Sequence, residues 1–592
     1  MTYMAAEEDE GPPRIEPTSF DLIVVGTGLP ESIIAAAAAS AGKTVLQINP
    51  DPYYHSPFAS LSPKDLISFL HLHSATTSDH DYTDFRTVDS PTDQTTDSSF
   101  NILPLSTRPL YSSVEVHVYS PEKVLDDSLQ KEFNLDLAGP RVLFCADPMV
   151  DLIVDVDVQN CMSFMSVDTS YCIYDECQKG KGGGLLWNSV PGSRNAIFRD
   201  RSLSLKEKNQ LMRFFKLLQA HYHSNSKSST TTSNEEDDEN NSSMKITPED
   251  LETPFVEFLT CKIRLSPKLT SIILYAITMA DYEQDNVEAC KKDIVKTKVG
   301  IDRLMLYHKS VGRFRGATGA MLYPIYGQGE LAHFFCRRAA IMGGISITQM
   351  PVVGLLVDKD VGNYKGVKLV TGQELFSHHL ILAPTFVIPP GLTTPSVSPQ
   401  DVYYDFVQQD AREKVVRGIC ITDNSFKPDV ANCLVFYTPK SLCPDQMTSV
   451  RIFQLSSNVR ACPSGMFVVY LSTICGDVVQ GKRSINAAKE ALFSTSVSGN
   501  SEDNSRDPLR ENTVVKVKPT LLWSTLYIQE LIMGGFDCVS STPMPDGNLQ
   551  YSHVVDAALK LFQKMYPDDE FFPKKMPWWN EVVENGACLS EG

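Results

Sequence analysis

The residues with the clearest chemical potential lie in a glycine-rich turn near the start of the chain. Gly26 and Gly28 follow an apolar run and precede an alanine-rich stretch, the order of a strand, turn and helix that binds dinucleotides. In such a site the free amides of the helix bind the pyrophosphate, and a third glycine lets helix and strand pack closely. Here Glu31 stands in the place of that third glycine.

Two departures from the dinucleotide pattern point in the same direction. The carboxylate of Glu31 lies in the first helical turn, where it can satisfy the partial positive charge of the helix from within. A like charge about 4 Å from a diphosphate costs up to ~4 kcal/mol at an effective dielectric constant near 20. The second strand ends in Asn49, where a ribose-binding site has Asp or Glu. We therefore predict that the fold is kept without a cofactor; the alternative is a flavin site that tolerates both changes.

The elements that position this turn can be predicted from the pattern around it. Residues 22–25 form a continuous apolar run, which is typical of a strand buried on both faces of a parallel sheet. Pro30 suits the first turn of a helix over 33–41, and Gly42 suits its left-handed end. A second strand over 44–48 completes a βαβ unit.

The remaining chain predicts a scaffold assembled from distant segments. Residues 353–384 indicate a β-meander, and residues 267–280 an apolar helix that either belongs to the core or lines an apolar cavity. The fold class is α/β, FAD/NAD(P)-binding-like, with an inserted all-helical domain. The predicted parts are a disordered N-terminus (1–18), the βαβ segment (19–72), a partly disordered insertion (73–128), a mainly helical domain (129–310) with a disordered loop (224–245), the rest of the large domain (311–575) and a tail (576–592).

Composition excludes several classes of function. With 72 acidic and 53 basic residues the net charge is −19, which opposes binding to nucleic acid. The 14 cysteines include no CxxC pair, so we expect reduced thiols in the cytosol and no metal site. The first twenty residues are acidic and contain no apolar h-region, and no run of about 18 apolar residues occurs, so we expect neither a secretory signal nor a transmembrane helix. P-loop, HExxH and GxSxG motifs are absent from the sequence.

A second distinctive block, residues 322–344, follows an aromatic-rich strand. Gly327 and Gly329 permit a tight turn, and the helix that follows carries Glu330 and Arg337 two helical turns apart, on one side. This pair is either a solvated ion pair or a surface for a partner. Tyr54, in a tract of prolines and tyrosines after the second strand, is likewise either an edge of the core or a contact residue.

Four blocks of sequence carry a family resemblance. The stretches VVGTGLPES, NPDPYYHS, FNLDLAGPRVLF and LYPIYGQGELAHFFCRRAAIMGG occur in this order between residues 20 and 344. Together they resemble the superfamily of Rab GDP-dissociation inhibitors and Rab escort proteins, whose fold is similar to flavin enzymes but lacks the flavin. The long polar insertions favour the escort branch, of plant type.

The resemblance implies an accessory factor that performs no covalent chemistry. Such a protein binds newly made, GDP-bound Rab GTPases and presents their C-terminal cysteines to the Rab geranylgeranyl transferase heterodimer. It then carries the lipidated Rab, with its geranylgeranyl group, to a membrane, so that it is cytosolic with transient membrane contact. Two alternatives remain, namely a dissociation inhibitor that only recycles prenylated Rab, and a flavin-dependent oxidoreductase on the same scaffold.

The resemblance also implies which residues bind Rab. By motif match these are Tyr54, Glu330 and Arg337, with Ile347 as a weaker match, on a platform positioned by the glycines of the second turn. One surface for a partner then explains three separate features of the sequence.

The prenyltransferase-contact motif of the family does not match cleanly. Tyr307, Arg313 and Arg315 are loose matches to it. In the family the smaller helical domain accommodates the isoprenoid, and the apolar helix after Pro267 is where the resemblance places that role.

Overall fold

The computed structural model describes residues 14–75, 86–87, 100–156, 162–167, 169–175, 185–191, 194–226, 245–285, 294–317, 319–390, 392, 413–495, 518–535 and 539–573. Most of the predicted N-terminal segment (1–18), part of the insertion predicted at 73–128, most of the loop predicted at 224–245 and the predicted tail lie outside these ranges. Along the described ranges, no helix has the length and apolar character needed to cross a bilayer.

Runs of strands and runs of helices follow one another along the described chain. The strands are β1 (Ser19–Val25), β2 (Val45–Asn49), β3 (Ser60–Leu61), β4 (Arg86–Thr87), β5 (Phe100–Pro104), β6 (Ser106–Thr107), β7 (Tyr111–Val118), β8 (Leu135–Asp136), β9 (Leu143–Phe144), β10 (Phe164–Val167), β11 (Ser170–Asp175), β12 (Leu185–Ser189), β13 (Met321–Pro324), β14 (Ile345–Thr348), β15 (Val352–Asp358), β16 (Tyr364–Leu369), β17 (Glu374–Leu382), β18 (Phe386–Val387), β19 (Lys414–Thr422), β20 (Cys433–Tyr437), β21 (Val450–Ser456), β22 (Phe467–Cys475), β23 (Leu521–Glu530) and β24 (Val539–Ser541). The helices are α1 (Leu29–Ser40), α2 (Pro63–Leu72), α3 (Pro121–Val124), α4 (Pro148–Val156), α5 (Arg194–Arg199), α6 (Leu205–Ser226), α7 (Pro248–Glu252), α8 (Phe255–Glu257), α9 (Pro267–Ser271), α10 (Thr297–Ser310), α11 (Gly329–Ile341), α12 (Val478–Leu492) and α13 (Ser552–Met565).

The first sheet joins the start of the chain to its middle. Its strand order is β14-β2-β1-β17-β16-β15-β5, with β24 beside β17. The strands β14, β2, β1, β17 and β24 are parallel to their neighbours, whereas β17, β16, β15 and β5 form antiparallel pairs. Both the parallel βαβ unit and the β-meander are therefore confirmed. Because β1 pairs with β17, the sheet closes only when distant segments of the chain meet.

Helix α1 is apolar on every side, and neighbouring elements cover every side of it. All twelve of its residues are buried, and it packs between α11 and α13. Its alanines present small side chains, which allow neighbouring helices to approach closely. Gly42 adopts φ +80°, the left-handed conformation expected at the end of this helix.

The second sheet is larger than the sequence pattern indicates. Its strand order is β12-β11-β20-β21-β22-β19-β23-β7, and α12 packs against β19 and β22. The helices α6, α8 and α9 share one continuous apolar core with the strands β20 to β22. The apolar residues after Pro267 continue α9 as a wide π-helical turn, Ile272–Ile277, whose side chains are all buried in that core. Of the two alternatives for this stretch, the structure shows core packing.

The predicted fold class holds, but the segment predicted as mainly helical, residues 129–310, also contributes strands to the sheets. Helices predominate between residues 129 and 310, but β8 to β12 also lie there. Strand β11 pairs in parallel with β20, and β10 pairs with β13. The physical reason is that these short strands are completed by partners far along the chain, which local patterning does not show.

Buried arginines connect the layers. Arg417 of β19 is fully buried and donates to the carbonyls of Gly139 and Asp546, at 2.7 and 2.9 Å, and to the side chain of Gln529 at 2.7 Å. Arg141 forms a buried ion pair with Asp546 at 2.6 Å. Guanidinium groups thus satisfy carbonyls of three segments where the two sheets and the C-terminal segment meet.

We expect Arg417→Met to destabilise the protein by about 3 to 5 kcal/mol, because the apolar side chain leaves several buried acceptors without a donor. Urea unfolding followed by circular dichroism measures this loss. Lys365→Met, at an exposed position of β16, serves as the control and should change the free energy of unfolding by less than about 0.5 kcal/mol. Equal stabilities of the two variants would contradict the role of Arg417.

Candidate functional site

The glycine turn after β1 is filled by the protein itself. Gly26 has φ +131°, and Gly28 precedes α1 without offering a side-chain cap. A Cβ atom at Gly28 would lie 2.4 Å from Oε2 of Glu31 and 2.8 Å from the carbonyl oxygen of Ser56. The volume that a pyrophosphate takes in a dinucleotide site is therefore occupied, and these residues do not fit such a cofactor.

Glu31 is completely buried and accepts a hydrogen bond from the hydroxyl of Thr542, while its second oxygen has no hydrogen-bond partner. Burial raises the pKa of Glu31 from its ordinary 4.5 to about 7, and the hydrogen bond from Thr542 opposes this rise only in part. Burial thus favours the protonated, uncharged form of this carboxyl group. The expectation of a full negative charge on Glu31 is corrected accordingly. The volume that its side chain occupies also contributes to the barrier against a phosphate.

Asn49 has a different role from the ribose-binding residue that it replaces. Its side-chain oxygen accepts a hydrogen bond from the Thr27 hydroxyl at 3.0 Å, and its amide donates to the carbonyls of Asp51 and Tyr53 at 2.6 and 3.3 Å. The backbone amide of His55 donates to the same Thr27 hydroxyl at 2.9 Å. These bonds hold the loop after β2 over the glycine turn.

The loop presents Tyr54 to solvent while it buries its neighbour. Tyr54 is 44% exposed. The ring of His55 lies 3.1 Å from the carbonyl of Thr27 and 5.9 Å, between centroids, from the ring of His333. Burial lowers the pKa of His55 to about 4, so that its imidazole is neutral at physiological pH.

The second turn is fixed by Asp136 of β8. This buried carboxylate accepts hydrogen bonds from the Ser60 hydroxyl at 2.7 Å, the backbone amide of Gln328 at 2.9 Å and the Tyr323 hydroxyl at 2.5 Å. Burial raises its pKa, against the lowering effect of these donors. A Cβ atom at Gly327, where φ is +99°, would meet Ser60 and Asp136 within 2.7 Å, so that only glycine fits.

Between the two turns lies a groove of about 490 Å³, which we call the tyrosine groove. It is lined by Pro52, Tyr53, Tyr54, His55, Ser60, Leu61, Asp65, Asn134, Tyr326, Gly329, Glu330 and His333. The structure thus brings Tyr54 and Glu330, which are far apart in sequence, to one concave surface. Gly329 at its base donates its amide hydrogen to Ser60 at 3.0 Å, and this contact sets the start of α11 against the loop.

The other two residues matched to Rab binding lie outside the lining of this groove. Arg337 is exposed on α11, one helical turn beyond His333, and forms no ion pair with Glu330. Ile347 pairs with Ile48 at the edge of the first sheet and packs against the core on the meander side. Arg337 can extend the groove along the helix, whereas Ile347 is half-buried in a different core and does not join it.

The loose matches for a transferase contact have different environments. Tyr307 is buried and its ring lies 6.2 Å from that of Phe144, so the proposed surface role is wrong for this side chain; it faces the core side of α10. Arg313 is partly exposed and forms an ion pair with Asp151 at 2.5 Å. Arg315 is exposed.

Sequence reasoning missed the residues that position the groove. Thr27 lies within the glycine motif, but its role depends on a loop more than twenty residues later. Asp136 lies in the block FNLDLAGP, where an aspartate between apolar residues was a usable signal of a buried, hydrogen-bonded carboxylate. Tyr326, 51% exposed and directly before Gly327, also lines the groove.

Fold and site together define a class of protein: a dinucleotide-binding architecture whose phosphate turn is closed by its own side chains and whose helix edge carries an open groove. The described residues also contain no cluster of three or more His, Cys, Asp or Glu side chains suited to a metal ion. The comparisons with known proteins agree with this class.

The sequence profile named GDI, GDP dissociation inhibitor, matches residues 104–493. The chain is 45% identical over 567 residues to Rab escort protein 1 of Arabidopsis thaliana, with 95% of each chain covered. It is 25% identical over 588 residues to Rab proteins geranylgeranyltransferase component A 1 of Caenorhabditis elegans, covering 96% of this chain and 99% of that relative. The crystal structure of Rab GDI from Plasmodium falciparum superposes with a TM-score of 0.60 at 16% identity, covering 93% and 99% of the two chains.

This protein belongs to the GDP dissociation inhibitor family. The superposition supports the fold, and the long sequence match supports the family. The resemblance that the four sequence blocks indicated is therefore confirmed.

We expect Glu31→Gln to change how stability depends on pH. A carboxyl group whose pKa rises from 4.5 when unfolded to about 7 when folded stabilises the native state below pH 4.5 most, and this contribution is lost as pH rises to 7. Above pH 7 the wild type bears a cost of about 3 kcal/mol that glutamine avoids. Thermal unfolding from pH 5 to 8 should therefore show the variant gaining on the wild type as pH rises. A constant difference would contradict the raised pKa.

Proposed function

We propose that the protein is a Rab escort protein. It binds newly synthesised, GDP-bound Rab GTPases, presents them to the Rab geranylgeranyl transferase heterodimer and delivers the lipidated Rab to membranes. The observation that carries this proposal is the 45% identity to a protein named Rab escort protein 1 over 95% of both chains. The name of the Caenorhabditis relative, a component of Rab geranylgeranyltransferase, supports the same reading. The protein is an accessory factor, and the transferase performs the covalent chemistry.

The geometry of the site supports a surface that binds a protein rather than a redox centre. The phosphate turn is blocked by Glu31 and covered by the loop after β2, which argues against the flavin-dependent alternative. The same hydrogen bonds that close the turn expose Tyr54 beside Glu330. Aromatic and charged side chains at the edge of a concave surface are typical of a protein interface.

Rab switch regions suit such a surface because their order depends on the γ-phosphate. A partner that contacts the switch regions in their GDP-bound arrangement favours that state. The geranylgeranyl chain requires an apolar shelter, since each buried CH₂ group contributes about 0.8 kcal/mol. The helical layer packed on the second sheet is where we propose that this shelter forms. Arg313 and Arg315 remain candidates for contact with the transferase, in a cytosolic protein that touches membranes only during delivery.

Reconstituted prenylation distinguishes the escort from the recycling inhibitor. Purified chain, GDP-bound Rab, the transferase heterodimer and labelled geranylgeranyl diphosphate are combined, with a reaction lacking the chain as control. We expect label on Rab only when the chain is present. If the chain adds no transfer but still extracts prenylated Rab from membranes, the escort function fails and the inhibitor function stands. A yellow protein with flavin absorbance would instead favour the oxidoreductase.

We expect Tyr54→Ala and Arg337→Ala each to weaken binding of unprenylated Rab-GDP by about ten- to hundredfold, the range of interface residues that carry most of the affinity. Isothermal titration calorimetry measures the affinity, and circular dichroism verifies the fold. Tyr222→Ala is a matched control, because Tyr222 is exposed to a similar extent, 41%, on the distant helix α6. Unchanged affinity in both variants, Tyr54→Ala and Arg337→Ala, would remove Rab from this surface.

A further inference from the structure

Tyr326 combines a strained backbone with an exposed aromatic ring. Its φ angle is +77°, in the left-handed region that a bulky residue rarely adopts, and its side chain is 51% exposed. The chain is held there by hydrogen bonds on both sides, from the Tyr326 amide to the Val459 carbonyl at 3.0 Å and from the Gln328 amide to Asp136 at 2.9 Å. Glycine would take this conformation without strain. The backbone therefore gives no reason for a tyrosine here, and the exposed ring contributes little to the core.

The chemistry of the tyrosine groove explains what such a ring can bind. Tyr54 and Tyr326, the two large exposed aromatic residues of its lining, both present their rings to solvent. Its carboxylates are Asp65 and Glu330, and neither forms an ion pair with another described residue. His55 is held neutral by burial. The groove accordingly combines, in one concavity, aromatic faces with two carboxylates that have no cationic side chain paired to them among the described residues.

A lysine or arginine side chain matches this combination. A cation gains from the face of an aromatic ring and from charge-assisted hydrogen bonds to a carboxylate, and the methylene stem packs on the same rings. An acidic or purely apolar insert would leave Glu330, which is half-buried, without a counter-charge. The charge of Glu330 therefore favours a lysine or arginine side chain over an acidic or apolar one in the groove.

We propose that the tyrosine groove receives one cationic side chain of the GDP-bound GTPase, and that Tyr326 is a specificity-determining contact residue beside Tyr54 and Glu330. This inference rests on the proposed function, because the partner is the Rab named there. It goes further in assigning the chemistry of the inserted side chain and a residue that family motifs did not indicate.

The decisive variant is Tyr326→Gly, because glycine relieves the left-handed backbone while it removes the ring. We expect Rab-GDP to bind this variant about ten- to thirtyfold more weakly than the wild type, whereas its melting temperature stays equal or rises. Tyr326→Phe keeps the ring and should keep affinity within about threefold. Asp429→Gly is the matched control, because it removes an exposed side chain from a left-handed residue, φ +63°, in the turn between β19 and β20. It should leave affinity unchanged.

A second measurement tests the charge of the occupant. The affinity of the wild type for Rab-GDP should fall with rising salt, and Glu330→Gln should flatten that dependence because one of the paired charges is gone. If Tyr326→Gly binds as the wild type does, or Glu330→Gln keeps the full salt dependence, the groove proposal is overturned while the escort function stands. If the wild type binds no Rab-GDP at all, the proposed function fails and the groove loses its partner with it.

Discussion

The whole surface depends on how the start of α1 is satisfied. A helix N-terminus carries unpaired amides and a partial positive charge, which in dinucleotide-binding proteins are offered to a phosphate. Here Glu31 and the loop held by Thr27 and Asn49 occupy that position. Because these residues occupy the phosphate position, the loop after β2 has a fixed base, and Tyr54 gains a defined position at its tip. The same residues therefore close the cofactor site and position the groove.

The second wall of the groove, at the start of α11, is also held by side chains of the protein. Helix α11 starts at a turn whose amides are held by Asp136 and Ser60, again side chains of the protein rather than a ligand. The turns that begin α1 and α11 are therefore both held by side chains of the protein itself. Preorganised contact residues lose less conformational entropy on binding, which favours affinity for a single arrangement of the partner.

The parts of the fold that could be predicted are those determined locally. The strand, turn and helix from β1 to β2 and the β-meander follow from runs and periods within a few residues, and their bounds differ from the structure by at most four residues. The strands β11 and β12 could not be predicted, since β11 is completed by β20, more than 250 residues later. For the site, motif resemblance found Tyr54 and Glu330, but the burial of Tyr307 depends on which face of α10 meets Phe144, and only tertiary packing decides that.

The pairing of β1 with β17, and of Glu31 with Thr542, has a consequence for biosynthesis. An α-helix that is apolar all round leaves the ribosome long before the strands and helices that will cover it have been translated. During that interval the nascent chain exposes a surface that attracts chaperones and other nascent chains alike. The residues that line the groove end at His333, but the turns behind it bond to Val459 and Thr542, so the groove is complete only once these late segments have folded. Competence to bind a client therefore reports that folding has finished.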